Sequence, residues 1–306
     1  MRGTFGTDEG GVMDAENKNT ALIFQGQTFD FRKEYEDSEF VRKNLHIFQR
    51  HSSINLRSVC EGTEKYDPLM RTMYEQPAIF AVSLLKAREY ERHYHKACMG
   101  HSLGELASLT TAGVIESEQE GLYLVQVRGR ACAEANRKTP GNMAVLYGNI
   151  DMEKTRQICE TNGVYTANIN IPGEQVVISG QTQRMSKACE QFTSQGLKVI
   201  PLDLGGMFHC QEMIEAEEKW RESLKQVRFR PPNTDTSLVM ISTGNTETDP
   251  EIIKECVASQ LTQPIEFEKA VNTLVSLDVE EIHEVATKKT LSGFIRKIRN
   301  RLKRRD

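Results

Sequence analysis

The chain has 306 residues, 38% of them hydrophobic, and a formal net charge of −4. That length suits one large domain or two of ordinary size, and the negative balance argues against a general nucleic-acid binder. Seven scattered cysteines lack CxxC or zinc-ligand spacing and read as reduced thiols, and no apolar run approaches the roughly eighteen residues of a membrane span.

Residues 1–20 are polar and glycine-rich, carry no hydrophobic signal segment and read as a flexible tail. Ala21–Phe24 reads as a buried strand that ends in the turn Gln25-Gly26-Gln27. The charged stretch 30–60 looks helical with irregular breaks. Gln76-Pro77 marks the start of a buried helix running to Tyr90, with Ile79, Phe80, Val82, Leu84 and Leu85 as its apolar positions. Ala97, Cys98 and Met99 make a short apolar strand, Leu103–Leu109 a helix, and Gly121–Ala135 a second helix that carries Arg128. Pro140-Gly141 breaks the pattern.

Residues 141–204 have a rhythm of their own. Strand Met143–Tyr147 is followed by a helix over Asp151–Thr161, with an aspartate at its start and Asn162-Gly163 at its close. Strands Val164–Asn168 and Gln175–Ser179 flank a Pro172-Gly173 turn. Helix Thr182–Ser194 and strand Lys198–Leu202 complete a β-α-β-β-α-β order, the ferredoxin-like motif, here inserted into a larger unit. That unit resumes with helix Gln211–Val227, strand Leu238–Ser242, helices Pro250–Ser259 and Pro264–Leu277, strand Glu280–Val285 and a last helix from Thr290 to about Arg301. Strands alternating with helices predict an α/β fold with a doubly wound, mostly parallel sheet.

Gly100-His101-Ser102-Leu103-Gly104 is a G-x-S-x-G pentapeptide between a predicted strand and a predicted helix, the setting of a nucleophile elbow. Small residues on either side of Ser102 let the chain turn tightly and lift the hydroxyl into the open. The N–H of Leu103, at the start of the next helix, is placed to help hold an oxyanion. A serine hydroxyl needs a base, and His209 is the candidate.

Gly100-His101-Ser102-Leu103-Gly104-Glu105 resembles the motif of the malonyl-CoA:acyl carrier protein transacylase family, whose members act in fatty acid or polyketide synthesis. The resemblance extends in order through Phe24-Gln25-Gly26-Gln27, Gln76-Pro77-Ala78, Val127-Arg128-Gly129, Asn168 to Gly180, Gly206-Met207-Phe208-His209, and Gln260-Leu261 followed by Pro264. It implies an α/β-hydrolase-like catalytic domain over 21–140 and 205–306, with 141–204 as the inserted small subdomain.

The resemblance also implies an acyl-serine enzyme with a Ser102–His209 dyad. The backbone carbonyl of Gln260 would orient the histidine, and its side chain is expected to be replaceable. Gln27 and Leu103 N–H groups would form the oxyanion hole. Arg128 would pair with the free carboxylate of a malonyl group, and His101, Phe208 and Met207 would shape the acyl pocket. No metal or permanently bound cofactor is implied. A CoA thioester would be the substrate and an acyl carrier protein bearing phosphopantetheine the partner; the reduced thiols predict a cytoplasmic protein, expected as a monomer. The rivals are an acyl hydrolase of the same fold and a non-catalytic carrier-binding module.

Two departures and a basic tail stand out. Thr28 replaces a glycine that follows Gln27 in the family, and a β-branched residue tolerates positive φ poorly. Val285-Ala286-Thr287-Lys288-Lys289 replaces a loop containing glycine and proline. The stretch from Arg296 to Arg305 is dense in cations, which suits either a solvated helix end or docking to an acidic carrier. Together they lean toward a specialist enzyme of polyketide synthesis.

Overall fold

The computed structural model describes residues 19–90 and 95–304; residues 1–18 of the expected tail, and Arg305, lie outside the described residues. In chain order the strands are β1 (Thr20–Phe24), β2 (Ala97–Gly100), β3 (Gly141–Tyr147), β4 (Tyr165–Ile171), β5 (Gln175–Gln181), β6 (Lys198–Leu202), β7 (Ser237–Val239), β8 (Ile265–Glu266) and β9 (Glu281–Glu284). The helices are α1 (Phe31–Asp37), α2 (Glu39–Asn44), α3 (His46–Gln49), α4 (Leu56–Cys60), α5 (Arg71–Ala87), α6 (Gly104–Thr111), α7 (Glu118–Lys138), α8 (Met152–Asn162), α9 (Thr182–Ser194), α10 (Ile214–Leu224), α11 (Pro250–Ser259), α12 (Phe267–Ser276) and α13 (Thr290–Leu302).

Strands β7-β2-β1-β9 form a parallel sheet in that order. The unbroken apolar runs of β1 and β2 follow from burial on both faces. Leu22, Phe24 and Cys98 enter one core with residues of α5, α6 and α7, while Ala21, Ile23, Ala97 and Met99 enter another with residues of α12 and α13. The fold is therefore α/β with a doubly covered parallel sheet.

Strands β6-β3-β5-β4-β8 form a second sheet, antiparallel apart from β8. Ala144, Leu146, Val176 and Ile178 pack on one face with Met185, Ala188 and Phe192 of α9. The alternate residues Met143, Val145 and Val177 belong instead to the main core, as a strand's period of two requires. Helix α8 begins where Asp151 accepts the N–H groups of Glu153 and Lys154, and ends at Gly163 with φ of 63°.

Three elements differ from the sequence expectation. The Gln76-Pro77 helix starts earlier, at Arg71, so Pro77 lies in its interior; a proline usually marks a first turn, which is why the local signal pointed there. The segment Pro264–Leu277 is a short strand before a helix, because Ile265 and Glu266 pair in parallel with Asn168 and Ile169. Gln211–Val227 is a 3₁₀ turn, Gln211–Met213, leading into α10. All seven cysteines are free thiols. Among the described residues no helix is long and apolar enough to cross a membrane.

Candidate active site

Ser102 sits between β2 and α6 with φ of 53°. The flanking glycines are required by close approach. A Cβ on Gly100 would lie 2.1 Å from the main chain of Gly104, and one on Gly104 would lie 2.4 Å from the Gln25 carbonyl oxygen. The His101 N–H donates to the Phe24 carbonyl at 2.9 Å, which ties the elbow to the end of β1 and brings the following turn beside it. That turn is closed by the Phe29 N–H on the Gly26 carbonyl at 3.0 Å. The Gln27 side chain donates to the Leu204 carbonyl at 2.8 Å and accepts from Thr72 Oγ1 at 3.2 Å.

Thr28 is absent from the positive-φ residues. The expected strain at this departure from the family pattern does not arise, because the turn needs no left-handed residue there. The main-chain N–H groups of Gln27 and Leu103 make no hydrogen bond to another described residue.

His209 is buried and also has positive φ, 57°. Its neighbours hold it in place: the Phe208 N–H donates to Ser179 Oγ at 3.2 Å, and the Cys210 N–H to the Leu261 carbonyl at 3.3 Å. The ring spans two partners. Nδ1 donates to the Gln260 carbonyl at 2.8 Å, which leaves Nε2 unprotonated to accept from Ser102 Oγ at 2.7 Å. Burial lowers the ring's pKa from 6.5 to about 3; the Gln260 carbonyl opposes this, and the nearby charges of Arg128 and His101 add to it. The imidazole is thus neutral at ordinary pH and free to take a proton.

Arg128, on α7, is buried. Its Nη1 donates to Gln76 Oε1 at 2.9 Å and its Nη2 to Gln260 Oε1 at 3.1 Å. Gly129 allows this, since a Cβ there would lie 3.0 Å from the Thr72 carbonyl on α5, so the two helices approach closely enough for Gln76 to reach across. Burial pulls the guanidinium pKa down from its ordinary value, while Cys132 and Glu105 hold it up. Among the described residues no carboxylate bonds to the guanidinium; its two partners there are neutral amide oxygens.

Gln260 departs from expectation. Its carboxamide is buried, donates to Glu105 Oε2 at 2.5 Å and to the Ser102 carbonyl at 3.3 Å, and accepts from Arg128. A buried side chain with three polar partners is not freely replaceable. Sequence reasoning assigned no role to Gln76 or Glu105; Gln76-Pro77 was read only as a helix start, and Glu105 only as part of the serine motif.

Ser102, His209, Arg128, Gln27, His101 and Phe208 all line one cavity of about 200 Å³, closed on one side by Met143, Val145 and Val177 of the second sheet. His101 Nε2 donates to Asn170 Oδ1 at 3.2 Å, and burial lowers the ring's pKa. Met207, expected in this pocket, is not part of it. It is fully buried, its main chain is clamped by Asn136 at 2.7 and 3.2 Å, and its sulfur packs toward Gly141. The altered late loop does reach the cavity through Lys288, and is held by Glu34 on Thr287 and by Gln25 on the Lys288 carbonyl at 2.6 Å. A wider cavity of about 950 Å³, bordered by Arg88, Glu118 and Asp235, touches none of the residues of this site. Part of the basic C-terminal stretch is structural: Arg299 donates to the Val279 and Glu280 carbonyls, and Arg301 and Lys297 pair with Glu174.

A hydroxyl on a strand-to-helix turn, a neutral imidazole oriented by a carbonyl, and two unengaged N–H groups are the parts of a serine acyl-transfer centre. The acyl transferase domain family matches residues 35–291. The chain is 33% identical over 296 residues to the malonyl CoA-acyl carrier protein transacylase of Bacillus subtilis, covering 92% of this chain and 91% of that one. It is 32% identical over 249 residues to the Staphylococcus aureus protein of the same name, 79% of each. Among solved structures, MCAT from Streptococcus pneumoniae superposes with a TM-score of 0.77 at 27% identity, over 92% of this chain and 93% of that one. A type II polyketide acyl carrier protein in complex with its malonyl-transacylase matches in fold, with a TM-score of 0.81 at 24% identity over 92% and 94% of the chains. The chain belongs to the malonyl-CoA:acyl carrier protein transacylase family.

Proposed function

We propose that this chain moves a malonyl group from CoA to the phosphopantetheine thiol of an acyl carrier protein through an acyl-serine intermediate. Ser102 Oγ attacks the thioester carbonyl while His209 Nε2 takes its proton. The Gln260 carbonyl holds the ring and stabilises the imidazolium that forms. The oxyanion is received by the N–H groups of Leu103 and Gln27. The carbon–sulfur bond breaks, and His209 returns the proton to the departing CoA thiolate. In the second half the carrier's thiol gives its proton to His209 and attacks the ester, and Ser102 leaves reprotonated. No resident cofactor enters these steps.

The observation that carries the reading is Arg128. A buried guanidinium beside the serine-histidine pair, bonded among the described residues to amide oxygens alone, suits a carboxylate that arrives with the substrate. The names of the relatives favour the same substrate, and the carrier-bound structural neighbour favours the same partner. The narrower assignment to polyketide rather than fatty acid synthesis now rests on the late loop and the basic tail, since Thr28 is unstrained and part of the tail is engaged internally.

The test is intact mass after mixing with malonyl-CoA. One malonyl group should be retained by the wild type and none by Ser102→Ala. Addition of a holo carrier protein should then discharge the label onto the carrier. Release of free malonate at the same rate without carrier would turn the assignment to a hydrolase.

A further inference from the structure

Glu105 lies on α6, three residues beyond Ser102, and is almost completely buried at 1% exposure. Its two carboxylate oxygens are each engaged by an N–H donor. Oε1 accepts from the Ile241 main chain at 2.9 Å, and Oε2 from Gln260 Nε2 at 2.5 Å. The other contact of Gln260 Nε2 is also an acceptor, the Ser102 carbonyl at 3.3 Å. With its amino group facing two acceptors, the carboxamide can present only its oxygen to Arg128, 3.1 Å away.

The reverse orientation would set the amide N–H against guanidinium N–H and the amide oxygen against the carboxylate. Both contacts are repulsive in a buried site. The Glu105 charge also acts on Arg128, although the two make no direct ion pair. The Gln260 amide lies between the charge and the cation, hydrogen-bonded to both.

We infer that Glu105 is a positioning residue for substrate selection: its carboxylate fixes the Gln260 carboxamide so that the amide oxygen orients Arg128 toward the acyl carboxylate. This rests on the malonyl-transfer reading above. The Gln260 main-chain carbonyl that holds His209 does not depend on this amide's orientation, so the selectivity for malonyl is set apart from the acylation chemistry itself.

The experiment compares self-acylation by malonyl-CoA and acetyl-CoA at pH 8.5, above the value of about 7 to which burial raises the Glu105 pKa, followed as kcat and KM separately. In Glu105→Gln the new amide offers one acceptor where two are needed, so the Gln260 amide loses its fixed orientation. The expected result is a fall of about tenfold or more in the malonyl-to-acetyl ratio of kcat/KM, the order for unpairing a buried polar group, carried mainly by the KM for malonyl-CoA. Glu105→Asp, which keeps two acceptor oxygens, should restore most of the ratio. Gln260→Met gives the same readout if Glu105→Gln does not fold. The double variant should be no less selective than Gln260→Met alone, because both break one chain. Equal losses with the two donors, an unchanged ratio, or fully additive effects would overturn the inference. A wild type that does not prefer malonyl-CoA would instead overturn the malonyl reading itself.

Discussion

Ser102 and His209 meet at 2.7 Å, and both hold their main chain at positive φ. Asp278 is the only other non-glycine residue with this geometry among the described residues. Such conformations cost on the order of 1–3 kcal/mol each, so the surrounding structure must over-determine them. For Ser102 the constraint is the β2–α6 crossing through two glycines; for His209 it is the pair of main-chain bonds made by Phe208 and Cys210. Main-chain strain falls on the two residues between which the proposed proton transfer would run.

Ser102→Ala should abolish acyl-enzyme formation by intact mass, and His209→Ala should slow it by roughly 10²–10⁴-fold, the range for loss of a general base. Acylation of Ser102→Ala at another residue would remove Ser102 as the nucleophile.

Gly104→Ala should damage both fold and activity. The added methyl would meet the Gln25 and Phe24 carbonyls at 2.4 and 2.6 Å, and main chain cannot give way as a flexible side chain can. A loss of about 3 kcal/mol, the upper end for overpacking, is expected in denaturant unfolding. A variant of wild-type stability would mean that α6 and β1 are not locked together as described.

Gln260→Ala is expected to be costly, against the sequence expectation that only its carbonyl matters. Removal of the carboxamide strips a partner from Glu105 and from Arg128. Each is a buried group, and unpairing one typically costs about 1–3 kcal/mol. Thermal unfolding and malonyl transfer should both suffer; unchanged values in both would mean that water replaces the amide without loss.

The pieces of the site were legible in the sequence where the signal is local. The elbow reads as apolar run, glycine-flanked serine and helix; the small sheet reads as β-α-β-β-α-β; α9 matches its predicted bounds. What was not legible joins distant residues. Arg128 and Gln260 are separated by 132 positions, and Glu105 and Gln260 by 155. Neither periodicity nor spacing reports which face of a buried amide such partners use. Strand β8 was missed for the same reason, since two residues become a strand only because β4 lies beside them. Met207 was misplaced because adjacency to Phe208 and His209 does not say which side chain enters the cavity; Asn136 pins its main chain and turns the thioether into the core.

Arg128 sets a prediction on substrate class. Wild type should be acylated by malonyl-CoA much faster than by acetyl- or butyryl-CoA, because an uncharged acyl group leaves the buried cation unpaired. Arg128→Ala should lose malonyl transfer and gain relative rate with the uncharged donors. Equal wild-type rates with all three would show that Arg128 is not the carboxylate's partner.

His209 and Glu105, two buried titrating groups of the site, have opposite effects on stability as pH falls, which gives the last prediction. Burial lowers the His209 pKa from 6.5 to about 3, so between those values the unfolded chain binds more protons, and stability declines as pH drops through this window. Burial raises the Glu105 pKa from 4.5 to about 7, so between those values the folded chain binds more protons, and stability grows as pH drops through that window. Taken from pH 7.5 to pH 5, each contribution is about 2 kcal/mol, and they oppose one another in the wild type. His209→Gln removes the unfavourable member and should gain about 2 kcal/mol relative to wild type over that pH change. Glu105→Gln removes the favourable one and should lose about as much. Urea unfolding of the three proteins at both pH values checks the signs. Parallel pH dependence in all three would mean that neither group titrates differently in the folded and unfolded chains, and that water reaches both side chains.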